Sequence, residues 1–192
     1  MRLRERLGRF RSFWIFPLLA ILLIDFTAGI EPGRRGRDLL WLFPIGVFAW
    51  TLLEYGLHRF VFHIRFEFAD PKIRDLVNAL HLHHHAAPRD ACKLLVRPSY
   101  GLVVSILLFG ILYLLSGSAF SAAGIMAGIW AGFLYYEAVH YRVHLTTATS
   151  GFIAKQRRAH FYHHFTNRER CFGVTSPLWD HVFRTQLPRP QR

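Results

Sequence analysis

The sequence predicts an all-α integral membrane protein with about four transmembrane helices. Three observations carry that expectation. Apolar stretches of membrane length recur along a chain of 192 residues, 52% of them hydrophobic. The net charge is nevertheless +12, and the Lys and Arg residues lie between those stretches. Where the stretches end, histidines recur at i, i+3 and i+4, the spacing of a helix rather than of a strand. A soluble fold rarely combines these properties. A membrane protein does so by setting its cations against anionic headgroups. A nucleic-acid binder is excluded, because Lys and Arg flank the apolar runs instead of forming one stripe.

Arg2, Arg4, Arg6, Arg9 and Arg11 precede an apolar run from Phe13 to Ile24. The pattern has the form of a signal peptide, with Thr27-Ala28-Gly29 as a cleavage-like site. We read it as an uncleaved anchor reaching about Ile30, cleavage being the alternative. Glu31-Pro32-Gly33 opens a short basic loop. A second stretch runs from Leu39 to about Leu57 and ends at His58. A third covers Tyr100 to Leu115 and a fourth Ala119 to Val139, with Ser116-Gly117-Ser118 between them. About 20 helical residues at about 1.5 Å each cross a hydrocarbon core of about 30 Å, so four spans are expected.

Asp70-Pro71 is a helix start leading through Ile73, Leu76, Val77 and Leu80 to His81. Ser150 to Phe165 fits a further helix outside the membrane. Gly173, Pro177 and Pro188 mark a turn-rich tail that folds back. Of the 24 Lys and Arg residues, 21 fall in 1–12, 58–98 and 140–192; Arg34, Arg35 and Arg37 occupy the loop after the first span. The positive-inside rule then puts the N-terminus and every histidine cluster on the cytoplasmic side. Cys92 and Cys171 show no C-x-x-C spacing and suit a reducing compartment. They are too few to hold an iron–sulfur cluster, so any electrons come from outside the chain.

Ten of the twelve histidines form two blocks: His58, His63, His81, His84 and His85, then His140, His144, His160, His163 and His164. Each block closes with His-x-x-His-His. On a helix, i, i+3 and i+4 share a face, so His81, His84 and His85 converge, as do His160, His163 and His164. His140 and His144 stand one turn apart. The five-residue gap from His58 to His63 requires a helix that distorts or ends there. One ion takes about four to six ligands, so ten imidazoles imply two ions. Unmetallated, they would form a costly cluster of polar groups at a membrane boundary. His83 lies about 200° around the helix from His81 and is left outside the ligand set, as is His181. Glu54, Glu137 and Asp180 are the candidate outer carboxylates, accepting the second N–H of ligand histidines. Pairing with Arg59, Arg142 or Arg184 is the alternative for these acids.

These residues resemble the fatty acid hydroxylase superfamily of membrane di-metal oxygenases, above all its fatty acid 2-hydroxylase branch. Glu54-Tyr55-Gly56-Leu57-His58-Arg59-Phe60-Val61-Phe62-His63 is similar to that branch's opening motif. His81-x-x-His84-His85 followed by Ala87-Pro88-x-Asp90 resembles its second. Tyr136-Glu137-Ala138-Val139-His140-x-x-x-His144 and His160-x-x-His163-His164-Phe165 resemble its third and fourth. Phe172 to Asp180 resembles its closing signature. The likeness covers Glu54 to Leu187. It departs in having no cytochrome b5 segment and in Glu137 where related chains often carry Asp.

The resemblance implies hydroxylation of a lipid acyl chain, of the fatty acid or ceramide 2-hydroxylation type. It implies two iron ions, O2 and an external electron donor. The redox partner would be a separate cytochrome b5-like or ferredoxin/reductase protein, and no nucleic acid is involved. Dioxygen chemistry needs a redox metal, so zinc would be an inactive occupant. A single domain over 1–192 is expected, with 1–38 as N-terminal anchor and loop and 39–187 as catalytic region. A helical cytoplasmic cap would hold the site at a bacterial inner membrane. A carotenoid, a sterol-like lipid or an aminolipid headgroup is the alternative substrate. A membrane zinc hydrolase fits less well, because H-E-x-x-H is missing and ten ligands exceed one catalytic zinc.

Overall fold

The computed structural model describes residues 10–34, 36–63, 71, 75, 77, 81–90 and 94–188, and every regular element among them is helical. The order is α1 (Ser12–Ile30), a 3-10 turn (Gly36–Asp38), α2 (Leu39–Gly56) continuing as a π-helical turn (Leu57–Phe62), and a short α3 (His83–Ala86). Then come α4 (Pro98–Ser116), α5 (Ala119–Leu145), α6 (Gly151–Phe165) and α7 (Leu178–Val182). Four helices are long and apolar enough to cross a membrane, as expected: Ser12–Ile30, Gly36–Phe62, Pro98–Ser116 and Ala119–Leu145. The chain is an integral membrane protein. Most of the helix expected from Asp70 lies outside the described residues, as do Arg2, Arg4, Arg6, Arg9, Arg35 and Cys92.

Two compact units divide the chain, Met1–Trp50 with Leu95–Tyr135, and Thr51–Leu94 with Tyr136–Arg192. The first holds α1, α4, most of α2 and the first part of α5. Pro98 opens α4, its ring already set at a helical φ and the preceding Arg97 extended. Gly117 closes α4 in the left-handed conformation (φ 62°), its N–H donating to the Tyr113 carbonyl at 2.8 Å. Ser118 then caps α5 through the Ser121 N–H. Glu31 reinforces that cap from another loop. Its carboxylate accepts the N–H of Ala119 at 2.6 Å and the Ser118 hydroxyl at 2.6 Å. An anion at a helix N-terminus is stabilised by the orphan amides and the dipole, and the Ser118 bond lowers the Glu31 pKa.

The packing of α2 on α5 within this unit rests on glycine. Gly124, Gly128 and Gly132 repeat at four-residue intervals on α5. A Cβ on Gly128 would strike the Phe43 carbonyl and one on Gly46 the Ile125 carbonyl, while Trp50 lies against Gly132. Helices in lipid gain no hydrophobic drive from meeting each other, so close backbone approach over small residues holds them together. Phe16 on α1 fills the remaining space, its ring 5.5 Å from Trp130 and 5.4 Å from Phe133. The Trp130 indole N–H donates to Ser105, which donates to the Gly101 carbonyl, so these two buried groups are satisfied.

Gly128→Val should cost about 3 kcal/mol through overpacking, seen as a lower thermal midpoint in detergent. Gly110→Val, whose Cβ meets nothing within 4 Å, should leave the midpoint almost unchanged.

Candidate metal centre

The second unit carries all ten block histidines. Five residues along an ordinary α-helix separate two side chains by about 140°, so His58 and His63 would diverge. The π-helical turn Leu57–Phe62 removes that divergence, and the two rings lie 5.0 Å apart. Such a turn inserts an extra residue per loop of helix and is frequent at functional sites. His140 and His144 come from the last two turns of α5, which runs past the expected Val139 to Leu145. His160, His163 and His164 line the buried face of α6. His84 and His85 lie on α3, with His81 on the turn before it.

The ten gather into two sets of five. The first is His58, His63, His81, His85 and His163; the second is His84, His140, His144, His160 and His164. Within each set the ligand atoms lie within 4.8 Å of one another. The sets do not follow the sequence blocks. Each takes four histidines from one block and the middle histidine of His-x-x-His-His from the other. Helix geometry is the reason: i and i+4 lie about 40° apart, whereas the adjacent i+3 and i+4 are about 100° apart. His81 and His85 therefore serve one point while His84 serves the other, and His160, His164 and His163 repeat the arrangement.

The Nε2 atoms face one another: His58 to His163 at 3.1 Å, His63 to His81 at 3.1 Å and His81 to His85 at 2.8 Å in the first set. In the second, His84 to His140 is 3.1 Å, His144 to His160 2.8 Å and His160 to His164 3.0 Å. His58 Nδ1 lies 2.6 Å from the Phe172 carbonyl and His163 Nδ1 2.8 Å from the Arg170 carbonyl. A carbonyl only accepts, so both Nδ1 atoms carry the proton and both Nε2 atoms present lone pairs. Two lone pairs 3.1 Å apart repel unless a cation lies between them. At a metal–nitrogen distance of about 2.1 Å, two ligands at right angles are about 3.0 Å apart. The donor sets therefore fit two ions of five- or six-coordinate geometry.

Burial keeps the rings neutral. It lowers the pKa of His63 to about 3, with His163 and Arg168 adding to the shift, and that of His163 to about 4. His81, His84, His85, His160 and His164 are pushed well down as well, by burial first and by neighbouring imidazoles second. Neutral imidazole is the form that binds metal. Aromatic rings wall the sets: Phe62 stacks on His81 at 5.1 Å, and Tyr136 on His140 at 5.3 Å. His83 and His181 are exposed and lie outside both sets.

Glu54 and Asp180 both meet the backbone that adjoins the rings. Glu54 accepts the N–H of Val174 at 2.6 Å and of Thr175 at 2.9 Å, and also the Thr175 hydroxyl. Asp180 accepts the N–H of Phe172 at 3.0 Å and of Gly173 at 2.8 Å, and the Thr185 hydroxyl at 2.7 Å. Both hold the segment 170–175, whose carbonyls in turn meet the histidines. Glu137 is fully buried on α5, three residues before His140. Sequence reasoning missed Tyr55, Thr185 and Gln156. Tyr55 OH lies 3.0 Å from the Thr185 hydroxyl and accepts from Arg59 at 2.7 Å, while Gln156 donates to the Val174 carbonyl at 2.5 Å. Gln156 stands one turn before His160 on the same face, a signal that spacing could have supplied.

Glu54→Ala would strand two buried amides, each worth about 1–3 kcal/mol, and should lower the thermal midpoint more than Glu54→Gln does. Metal-free protein should also lose stability in acid. An unfolded histidine titrates near 6.5, whereas the folded His63 and His163 stay neutral to about 3 and 4. Between those values the unfolded chain binds more protons, so stability falls as pH drops below about 6.5 and is unaffected above it. Denaturant midpoints of chelator-treated protein at pH 5 and pH 7.5 check the sign.

The fatty acid hydroxylase family model matches residues 43–185. The chain is 30% identical over 178 residues to the ceramide very long chain fatty acid hydroxylase SCS7 of Saccharomyces cerevisiae, covering 92% of this chain and 46% of that protein. It is 31% identical over 175 residues to the dihydroceramide fatty acyl 2-hydroxylase FAH2 of Arabidopsis thaliana (90% and 73%). Against the fatty acid 2-hydroxylase of Rattus norvegicus the figures are 34% over 169 residues (87% and 45%). It thus spans about half the length of the yeast and rat proteins. Among solved structures, the visible hydroxylase domain of full-length scs7p matches with a TM-score of 0.78 at 29% identity, over 93% of this chain and 67% of that one. With its histidine motifs, its helices and its relatives in agreement, this chain belongs to the fatty acid hydroxylase family.

Proposed function

We propose that the chain hydroxylates a lipid acyl chain at the carbon next to the carbonyl, on a fatty acid or ceramide-type substrate. The convergence of ten histidine ring nitrogens, nine of them from buried residues, on two points carries the reading. The 2-hydroxylase names of the yeast, plant and rat relatives support the position and the substrate class. The reaction takes R–H, O2, two electrons and two protons to R–OH and water. Two iron ions bound by the ten histidines would supply the oxygen activation, which zinc, lacking redox chemistry, cannot.

The chain's own residues do the rest. His58, His63, His81, His85 and His163 would hold one ion, and His84, His140, His144, His160 and His164 the other. Neutral imidazoles leave each ion its full charge. Phe62, Tyr136, Phe161 and Phe172 pack on the ligand rings and keep water from them. The two electrons come from a separate protein, cytochrome b5-like or a ferredoxin with its reductase. The charge asymmetry, 21 cations against three, supports a site on the cytoplasmic face, in a membrane we read as a bacterial inner membrane. We read 1–192 as one domain with 1–38 as anchor and loop and 39–187 as catalytic region, a division supported by the extent of the family match.

Lipid extracts of an expressing strain and its deletion partner should differ by acyl lipids heavier by one oxygen atom. A gain confined to a pigment or a headgroup would overturn the substrate assignment, and turnover without O2 or a reductant would overturn the reaction. His84→Ala and His163→Ala should each abolish turnover and remove at least one metal equivalent.

A further inference from the structure

The segment 170–175 treats the two histidine sets differently. In the first set, His58 and His163 each give Nδ1–H to a backbone carbonyl, that of Phe172 or Arg170. In the second, the buried Nδ1 atoms of His84, His144, His160 and His164 have no hydrogen-bond partner among the described residues, as is also true of His85 in the first, so the two carbonyl contacts are what set the first set apart. His140 approaches the Leu94 carbonyl without closing a well-formed hydrogen bond. An acceptor on Nδ1–H locks the tautomer, fixes the ring and makes the opposite nitrogen a better donor.

Those carbonyls are held in place with unusual firmness. Cys171, between them, sits at φ 59°, a conformation that a non-glycine residue keeps only where its surroundings enforce it. Its N–H donates to the Thr185 carbonyl at 2.8 Å. Asp180 takes the next two amides, Phe172 and Gly173, and the Thr185 hydroxyl. Thr185 is tied onward to Tyr55, and Tyr55 to Arg59, whose guanidinium lies 5.8 Å from the Phe172 ring. Gly173 has no room for a Cβ against the Ser176 carbonyl and the Asp180 carboxylate. Every tie ends at the strap that meets His58 and His163.

We propose that the first set is the high-affinity metal site and loads before the second, and that Asp180 is the positioning residue responsible, acting through the Phe172 carbonyl on His58. The inference rests on reading the ten histidines as two ion-binding sets. Metal-stripped protein in detergent, titrated with Co2+, should take up two equivalents, the first at least about 10-fold more tightly. His63→Ala should remove the tight step and His144→Ala the weak one. Asp180→Asn should weaken the tight step by about 10- to 100-fold and leave the weak step unmoved, where a merely structural role would shift both.

Two wild-type steps within about threefold of each other would overturn the ranking while leaving the two-ion reading intact. An Asp180→Asn variant that weakens both steps alike, or neither, would overturn the role of Asp180. Uptake of a single equivalent would sink the ranking together with the two-ion reading. Should Asp180→Asn fail to fold, the wild-type, His63→Ala and His144→Ala titrations still decide the ranking.

Discussion

The second unit depends on one electrostatic constraint: ten imidazoles bring one ring nitrogen each to two points, and at least His58 and His163 present lone pairs there. Unaided, the His58 and His163 lone pairs repel, and their 3.1 Å separation leaves no way to relieve it by hydrogen bonding because both Nδ1 atoms already carry the proton. The burial that keeps the rings uncharged makes the repulsion worse, because little water reaches them. A bound cation converts the same geometry into a favourable one, and the binding energy then becomes folding energy. The π-helical turn at Leu57–Phe62, the extension of α5 to Leu145 and the buried face of α6 all serve to bring the donors to that geometry.

Much of this was legible in the amino-acid order. The four long helices fall within a few residues of where the apolar stretches begin and end, because hydrocarbon thickness sets their length. The His58–His63 gap announced a distorted helix, and the structure has a π-helical turn there. The exchange of His84 and His163 between the sets was not legible. Spacing shows that three side chains share a face, but only tertiary placement shows that the face looks at two points. Glu54 and Asp180 were legible as important, but the backbone groups they meet were not. They bind backbone amides, and a backbone amide has no signature in the sequence. The Gly124–Gly128–Gly132 ladder was legible and passed over, since beside ten histidines it reads as mere composition.

The two units apply different physics to one chain. In the first, helices approach over glycine, and polar atoms such as Ser105 and the Trp130 indole find partners locally. In the second, polar groups predominate, and order comes from acceptors on the strap and from the carboxylates that hold it. α5 has residues in both, a glycine contact in its first part and two of the ten clustered histidines in its last turns.

The exchange of the middle histidines has a consequence for biosynthesis. His163 completes the first set and His160 and His164 complete the second, so neither set is whole until α6 has left the ribosome. By then all four apolar helices have been synthesised. A nascent chain therefore cannot assemble either full set while its spans are still entering the bilayer.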